Sequence, residues 1–387
     1  MNVLPSFDAT SALFLKEIST SKNLTRVDLS KKSGLTKTTV SGVVSSLIDS
    51  GYVAEKTLSA DSELYHGTGR RPTVLSLAQS SPLICGMLVH RGCLSVTLSG
   101  LDGKICKILE YPYESITADS VTEILTGMFF KLKAETTRKI LGIGLACLGP
   151  INLSERKILK PNKFYGIENY LIAEEIEKRT VLPVFMQNDI SAAAVAEGLY
   201  GNGKNIGNFI YLHLMNGIGA GIVLNKKLYT GASGNAGDIA HMTVNMYGRR
   251  CNCGSIGCLE SYANIEQIRA HVSTLSGADS ERLSFREVIS RLNSGDMVAR
   301  SAMQEYTSAL SVALATMLHC LDINTVIFGY DGCEEGDELE KILEQNLRAR
   351  MENSGQGIVT VKKSAFLSDA PLIGATAIVA EKIFEGK

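Results

Sequence analysis

One imidazole and three thiols fall within eighteen residues of this chain: His241, Cys251, Cys253 and Cys258, inside the run GDIAHMTVNMYGRRCNCGSIGCLES. They are the ligand set of a tetrahedral structural zinc site, closed by four protein ligands with no open position for catalysis. Gly248, Gly254 and Gly257 lie among them, where a backbone folding tightly round an ion needs conformational freedom. The alternative is three free thiols that lie close by chance. The other six cysteines (Cys85, Cys93, Cys106, Cys147, Cys320 and Cys333) are scattered, mostly in apolar runs. They read as buried thiols of a reduced, cytoplasmic protein.

A second group of residues is suited to polyol chemistry. Asn162 follows Pro161, Asn188 and Asp189 open an Ala-rich helix after a strand, and Asp238 and Glu260 flank the thiol cluster. Carboxylates, amides and an imidazole supply the acceptors and donors that vicinal sugar hydroxyls need. Taken alone, Asn188-Asp189 reads first as a helix N-cap.

The thiol segment resembles the ROK family of bacterial repressors and sugar kinases. The shared pattern is G-[DE]-x-x-H followed by C-x-C-G-x-x-G-C-x-E, here Gly237 to His241 and Cys251 to Glu260. The family's usual first acid is Glu; Asp238 is one methylene shorter and leaves more room at one end of the pocket. The resemblance covers essentially the whole chain. It implies a two-lobed actin/hexokinase-like, ribonuclease H-like α/β body with a sugar cleft lined by Asn162, Asn188, Asp189, Asp238, His241 and Glu260. It also implies that Asp189 stands where the kinases keep their catalytic base. GIGAGIVLNKKLYTGASGNAGDIAHMTV is similar to the xylose-repressor branch, which implies xylose as the effector.

The chemistry of the kinases is less intact. They open the body with a strand and a D-x-G-G-T turn whose Asp organises magnesium and whose glycines admit phosphate. Aligned on Gly86 and LDGKI, this chain has Leu88 for the Asp, His90 and Arg91 for the glycine pair, and Gly92 for the Thr. The later MNGIGAGI (215–222) keeps its glycines, although strand packing also selects such residues. TVIFGYDG has Tyr330 where a second glycine is usual. The expectation is a sensor with a vestigial base and no catalysis, the alternative being a working kinase with a regulatory extension.

These residues need elements to hold them. The 387 residues, 45% hydrophobic, are enough for two or three cores. With 39 basic against 40 acidic side chains, any nucleic-acid surface must be local. No apolar run reaches the roughly 18 residues of a membrane helix, and the N-terminus lacks a secretory pattern. Residues 8–20, 25–34 and 36–50 show helical spacing, with Asp8 or Thr10 and Thr36 as caps and Gly34 as a stop. This is a helix-turn-helix whose second helix presents Thr36, Lys37, Thr38, Thr39 and Ser41 to a major groove. Residues 22–40 hold five basic side chains (Lys22, Arg26, Lys31, Lys32, Lys37) and one acidic one. Two β-prone runs, 52–58 and 73–78, flank a loop ending in Arg70 and Arg71, a wing suited to phosphates or a minor groove. This segment resembles the winged reader of ROK repressors, including their GRRP junction; the family's kinases lack it. Beyond it, alternating strands and helices predict sheets covered by helices. The expected domains are 1–80 for DNA, 81–200 with 371–387 for one lobe, and 201–370 for the other. The expected partners are operator DNA, a sugar and a second copy of the chain, as dimer or tetramer.

Overall fold

The structure is a computed structural model that describes residues 4–57, 73–214, 217–277, 283–352, 355 and 357–386. It opens with α1 (Ala9–Thr20), α2 (Arg26–Ser33) and α3 (Lys37–Asp49). Each starts at a polar cap. Asp8 accepts from the backbone N–H of Thr10 and Ser11, Thr25 forms a reciprocal capping box with Asp28, and Thr36 Oγ1 accepts from Thr39 N–H at 3.2 Å. α2 stops at Gly34, whose φ of +71° disfavours any side chain. Phe14, Leu15, Ile18, Leu29, Val40, Val44 and Leu47 close a small core. β1 (Val53–Thr57) and β2 (Thr73–Leu77) pair antiparallel, and Leu75 N–H donates to Leu24 O at 2.7 Å. The result is a winged helix-turn-helix. The tip of the wing, with Arg70 and Arg71, lies outside the described residues.

β3 (Leu83–His90), β4 (Cys93–Ser99) and β5 (Ile105–Pro112) form an antiparallel meander. α4 (Ala118–Ala134) buries Val121, Leu125, Phe129 and Leu132 at helical spacing against it. β6 (Ile140–Cys147) follows, then the short pair β7 (Ile151–Asn152) and β8 (Lys157–Ile158), α5 (Ile172–Thr180) and β9 (Val184–Asn188). The sheet order is β5-β4-β3-β6-β9. β6 is buried along its whole length, which is why it reads as an unbroken apolar run.

α6 (Asp189–Leu199) leads to β10 (Phe209–Leu214), β11 (Ile218–Leu224) and β12 (Lys227–Tyr229). Then come α7 (Ile265–Ser276), α8 (Phe285–Asn293), α9 (Met297–Leu321), β13 (Thr325–Tyr330), α10 (Glu338–Met351), β14 (Thr360–Lys363) and α11 (Ala370–Phe384). The stretch 259–275 is not one continuous helix. Leu259–Ser261 is a 3₁₀ turn, and Asn264 caps a fresh start, its Oδ1 accepting from Gln267 N–H at 2.9 Å. The second sheet runs β12-β11-β10-β13-β14. Its strands alternate strictly: Ile210, Leu212, Leu214, Val326, Phe328 and Tyr330 join the core under α7–α10, while Phe209, Tyr211 and Ile327 meet Ala193 and Ala194 of α6.

The chain divides into two compact units, one of Met1–Ala146, Tyr165–Met186 and Ala375–Lys387, the other of Cys147–Phe164 and Gln187–Gly374. This differs from the expected boundaries. α6 packs directly on β11, so 187–200 goes with the second sheet. A Cβ on Gly144 of β6 would stand 1.6 Å from Ala375 O, so the end of α11 goes with the first. Among the described residues no helix is long and apolar enough to cross a membrane.

Candidate functional site

The thiol cluster is built by two short antiparallel bridges, Thr243 to Cys258 and Arg250 to Ile256. Between them Cys251 N–H donates to Ser255 O (2.9 Å) and Gly254 N–H to Cys251 O (3.0 Å), which turns the chain round the sulfurs. Gly257 has φ +76°, and a Cβ there would lie 1.7 Å from Asn245 O, so only glycine fits. Cys251 Sγ stands 3.7 Å from His241 Nδ1, and Cys253 Sγ 3.6 Å from Cys258 Sγ. The four ligand atoms all lie within 4.8 Å of one another. Zinc bonds of about 2.3 Å to sulfur and 2.0–2.1 Å to nitrogen place tetrahedral vertices roughly 3.5–3.8 Å apart, so these two edges fit the ion. Cys253 is exposed, and the Ser255 backbone N–H, with help from the Cys251 thiol, pulls its pKa down to about 6. Cys258 is buried, and burial, followed by the Cys253 thiol, pushes it up to about 12. A divalent ion held there would need both thiols deprotonated.

The residues proposed for a sugar all fall in the second unit. Asn188 is the N-cap of α6; its Oδ1 accepts from Ile190 N–H (3.1 Å) and Ser191 N–H (3.2 Å). The cap reading therefore holds, and its Nδ2 is the atom that faces Gly149, 3.1 Å from where a Cβ there would be. Asp189 is buried, with Oδ1 accepting from Ile190 N–H at 2.9 Å. Burial first, and then the Asp189 carboxylate, holds the Cys147 thiol well above its usual range. Glu260 Oε2 lies 3.9 Å from His241 Nδ1, and Glu260 N–H donates to Ala240 O. Asn162 and Asp238 are exposed, and among the described residues neither side chain has a polar partner. Sequence reasoning missed Asn235. Its Oδ1 accepts from Ile151 N–H (3.2 Å) and its Nδ2 donates to Ile151 O (3.0 Å), fastening the Gly149-Pro150 turn to the loop that carries Asp238.

A family model described as ROK family matches residues 93–382. The chain belongs to the ROK family. It is 27% identical over 376 residues to the xylose repressor of Bacillus spizizenii, covering 96% of this chain and 95% of that one. Among solved structures, a ROK family transcriptional regulator described as a homolog of the E. coli MLC protein superposes with a TM-score of 0.79 at 26% identity, over 98% of this chain and 96% of that one. A ROK hexokinase from Thermus thermophilus has a TM-score of 0.66 at 22% identity, over 78% of this chain and 99% of that one, a likeness of fold.

Within this ROK chain the phosphate-loop segment is a two-residue hairpin turn. His90 pairs with Cys93 across Arg91-Gly92, and Gly92 has φ +79°. Tyr113 clasps the turn: its hydroxyl donates to His90 O at 2.5 Å and its N–H to Gly92 O at 2.9 Å. Burial pushes that phenol up to about 12. Leu88 is buried in β3. The glycines after β10 divide in two. A Cβ on Gly221 would meet Ala194 Cβ at 2.5 Å and Ile190 O at 3.1 Å, so α6 demands glycine there; one on Gly219 would meet only the end of the Ile190 side chain, Cδ1 at 2.5 Å, which would have to swing aside. A Cβ on Gly217 would meet nothing within 4 Å. Tyr330 is buried and donates its hydroxyl to Glu340 Oε2 at 2.8 Å.

On the winged domain Thr36, Lys37, Thr38, Thr39 and Ser41 are all exposed. Thr36 also spends its hydroxyl on the cap, 3.0 Å from Thr39 Oγ1. Two of the five expected cations are committed within the fold. Arg26 pairs with Glu55 (2.7 Å), and Lys32 with Glu17 (2.6 Å). Lys22 and Lys37 have no ion-pair partner among the described residues, which leaves Lys37 as the cation on α3 itself.

Proposed function

We propose that this ROK protein is a sugar-responsive transcriptional repressor that binds operator DNA as a homo-oligomer. The observation that carries this is coverage. The likeness to a ROK transcriptional regulator runs over 98% of the chain, against 78% for the hexokinase. α3 enters the major groove through Lys37, Thr38, Thr39 and Ser41, with Arg70 and Arg71 on phosphates or the minor groove. Sugar hydroxyls are held by Asn162, Asn188, Asp189, Asp238 and Glu260. His241 turns Nδ1 to Cys251, so Nε2 is the atom left for a hydroxyl. Zinc on His241, Cys251, Cys253 and Cys258 fixes that loop as a support behind the ligand. By similarity to the xylose repressor, xylose is the first candidate. The clasped turn at Arg91-Gly92 offers phosphate no glycine-lined approach, so the reading is of a sensor without catalysis.

A second reading, a sugar kinase, is favoured by buried Asp189 at the start of α6 and by the open space at Gly217. One experiment separates them: thermal shift against pentoses, hexoses, amino sugars and phosphorylated sugars, with and without Mg-ATP. Stabilisation by one sugar, unchanged by ATP, supports the sensor. Sugar consumption that requires ATP supports the kinase.

A further inference from the structure

α3 carries a glycine in its middle, Gly42. Glycine is a poor helix residue because it loses more backbone freedom on folding than any other. Elsewhere in the fold a glycine is kept because a side chain would collide, as at Gly221 of β11. Nothing collides at Gly42: a Cβ built there meets no described atom within 4 Å. Nor does the backbone need it, since Gly42 lacks the left-handed φ seen at Gly34. Val40, Val44 and Leu47 face the core. At 3.6 residues per turn Gly42 lies about half a turn round from them, at the outermost line of the helix. Its exposed neighbours on that line are Thr38 and Ser45. The helix is fixed at this level, because Arg26 donates from Nη1 to Ser41 O (2.9 Å) and from Nε to Glu55 Oε1 (2.7 Å). The fold thus presents, rigidly and outward, a residue that weakens its own helix and serves no internal purpose.

We propose that Gly42 is a close-approach position. Its missing side chain lets the backbone of α3 reach van der Waals contact with base edges in the major groove, and so sets the base preference of each half-site. The inference rests on the DNA-binding reading above. To test it, the wild-type full chain enriches duplexes of about 30 base pairs from a random-sequence pool, long enough for two half-sites a helical turn apart. The enriched duplex is then titrated with wild type, Gly42→Ala and Gly42→Leu. Alanine is the better helix former, so amide exchange across α3 slows about four-fold in Gly42→Ala. Affinity for the enriched duplex nevertheless falls about ten-fold, and further in Gly42→Leu. Binding to a scrambled duplex and the salt slope on the enriched one stay as in wild type, because no phosphate contact is lost. Unchanged or tighter binding of the enriched duplex by Gly42→Ala overturns the proposal. So does faster exchange in α3, or an equal loss on the scrambled duplex. If the wild type enriches no duplex, the repressor reading and this proposal fall together.

Discussion

Cys253 is the most exposed of the three thiols among the four metal-ligand candidates, and it tests the metal without touching the core. Cys253→Ser is expected to lose one equivalent of bound zinc, measured by elemental analysis, and to lower Tm. Cys320→Ser, also exposed, is expected to change neither. Glu197 tests an electrostatic claim. It is buried and accepts from Ser364 Oγ (2.6 Å), Ala365 N–H (2.8 Å) and Asn202 N–H (2.8 Å), yet burial still holds its carboxyl pKa above the ordinary value. A carboxyl with a higher pKa folded than unfolded binds its proton more tightly in the native state. Its contribution is therefore fully present below the unfolded value and is lost as pH rises through the folded one. The stability of wild type over Glu197→Gln should widen as pH falls from neutrality toward the ordinary carboxylate range, read from denaturant midpoints. Residues whose partners are near in sequence were legible: Asp8, Thr36 and the His–Cys set. Asn235, Tyr113 and Glu197 were not, because their partners lie 84, 23 and 167 residues away.

Elements follow the same division. α1–α3 and α9 declare themselves by caps and spacing, and β6 by its apolar run. β5 is not legible in the sequence because it is an exposed edge strand, ICKILEYP, with no buried face to impose alternation. The packing of α6 on β11 makes a prediction. Gly221→Ala should destabilise by about 1–3 kcal/mol, Gly219→Ala by less because the end of Ile190 can swing aside, and Gly217→Ala should leave stability unchanged, by thermal or chemical denaturation. Equal costs at all three would mean that the turn, not the helix, sets the requirement. For α3, Lys37→Ala should reduce the salt dependence of DNA binding by about one phosphate contact, measured as the slope of log affinity against log salt.

At the scale of the molecule, a sugar that weakens DNA binding must itself bind DNA-loaded protein more weakly by the same factor, typically about 1–3 kcal/mol. Titrating the stabilising sugar with and without enriched duplex checks this; equal sugar affinities would show the two functions uncoupled. The family resemblance made the architecture readable, but the segments that define each unit were not. Contacts distant in sequence, not runs of composition, assign these segments: Asn235 bonds Ile151 of 147–164, and α6 of 187–200 packs on β11. The same division bears on how such proteins diversify. The chain passes between its two units after Ala146, Phe164, Met186 and Gly374. No single crossover in the gene can therefore deliver either unit whole. The winged reader, by contrast, is one contiguous stretch of codons, tied back at the far end of the chain where Gly386 sits beside Ala9 and Ala12. Recombination can exchange what this protein reads on DNA far more readily than what it senses.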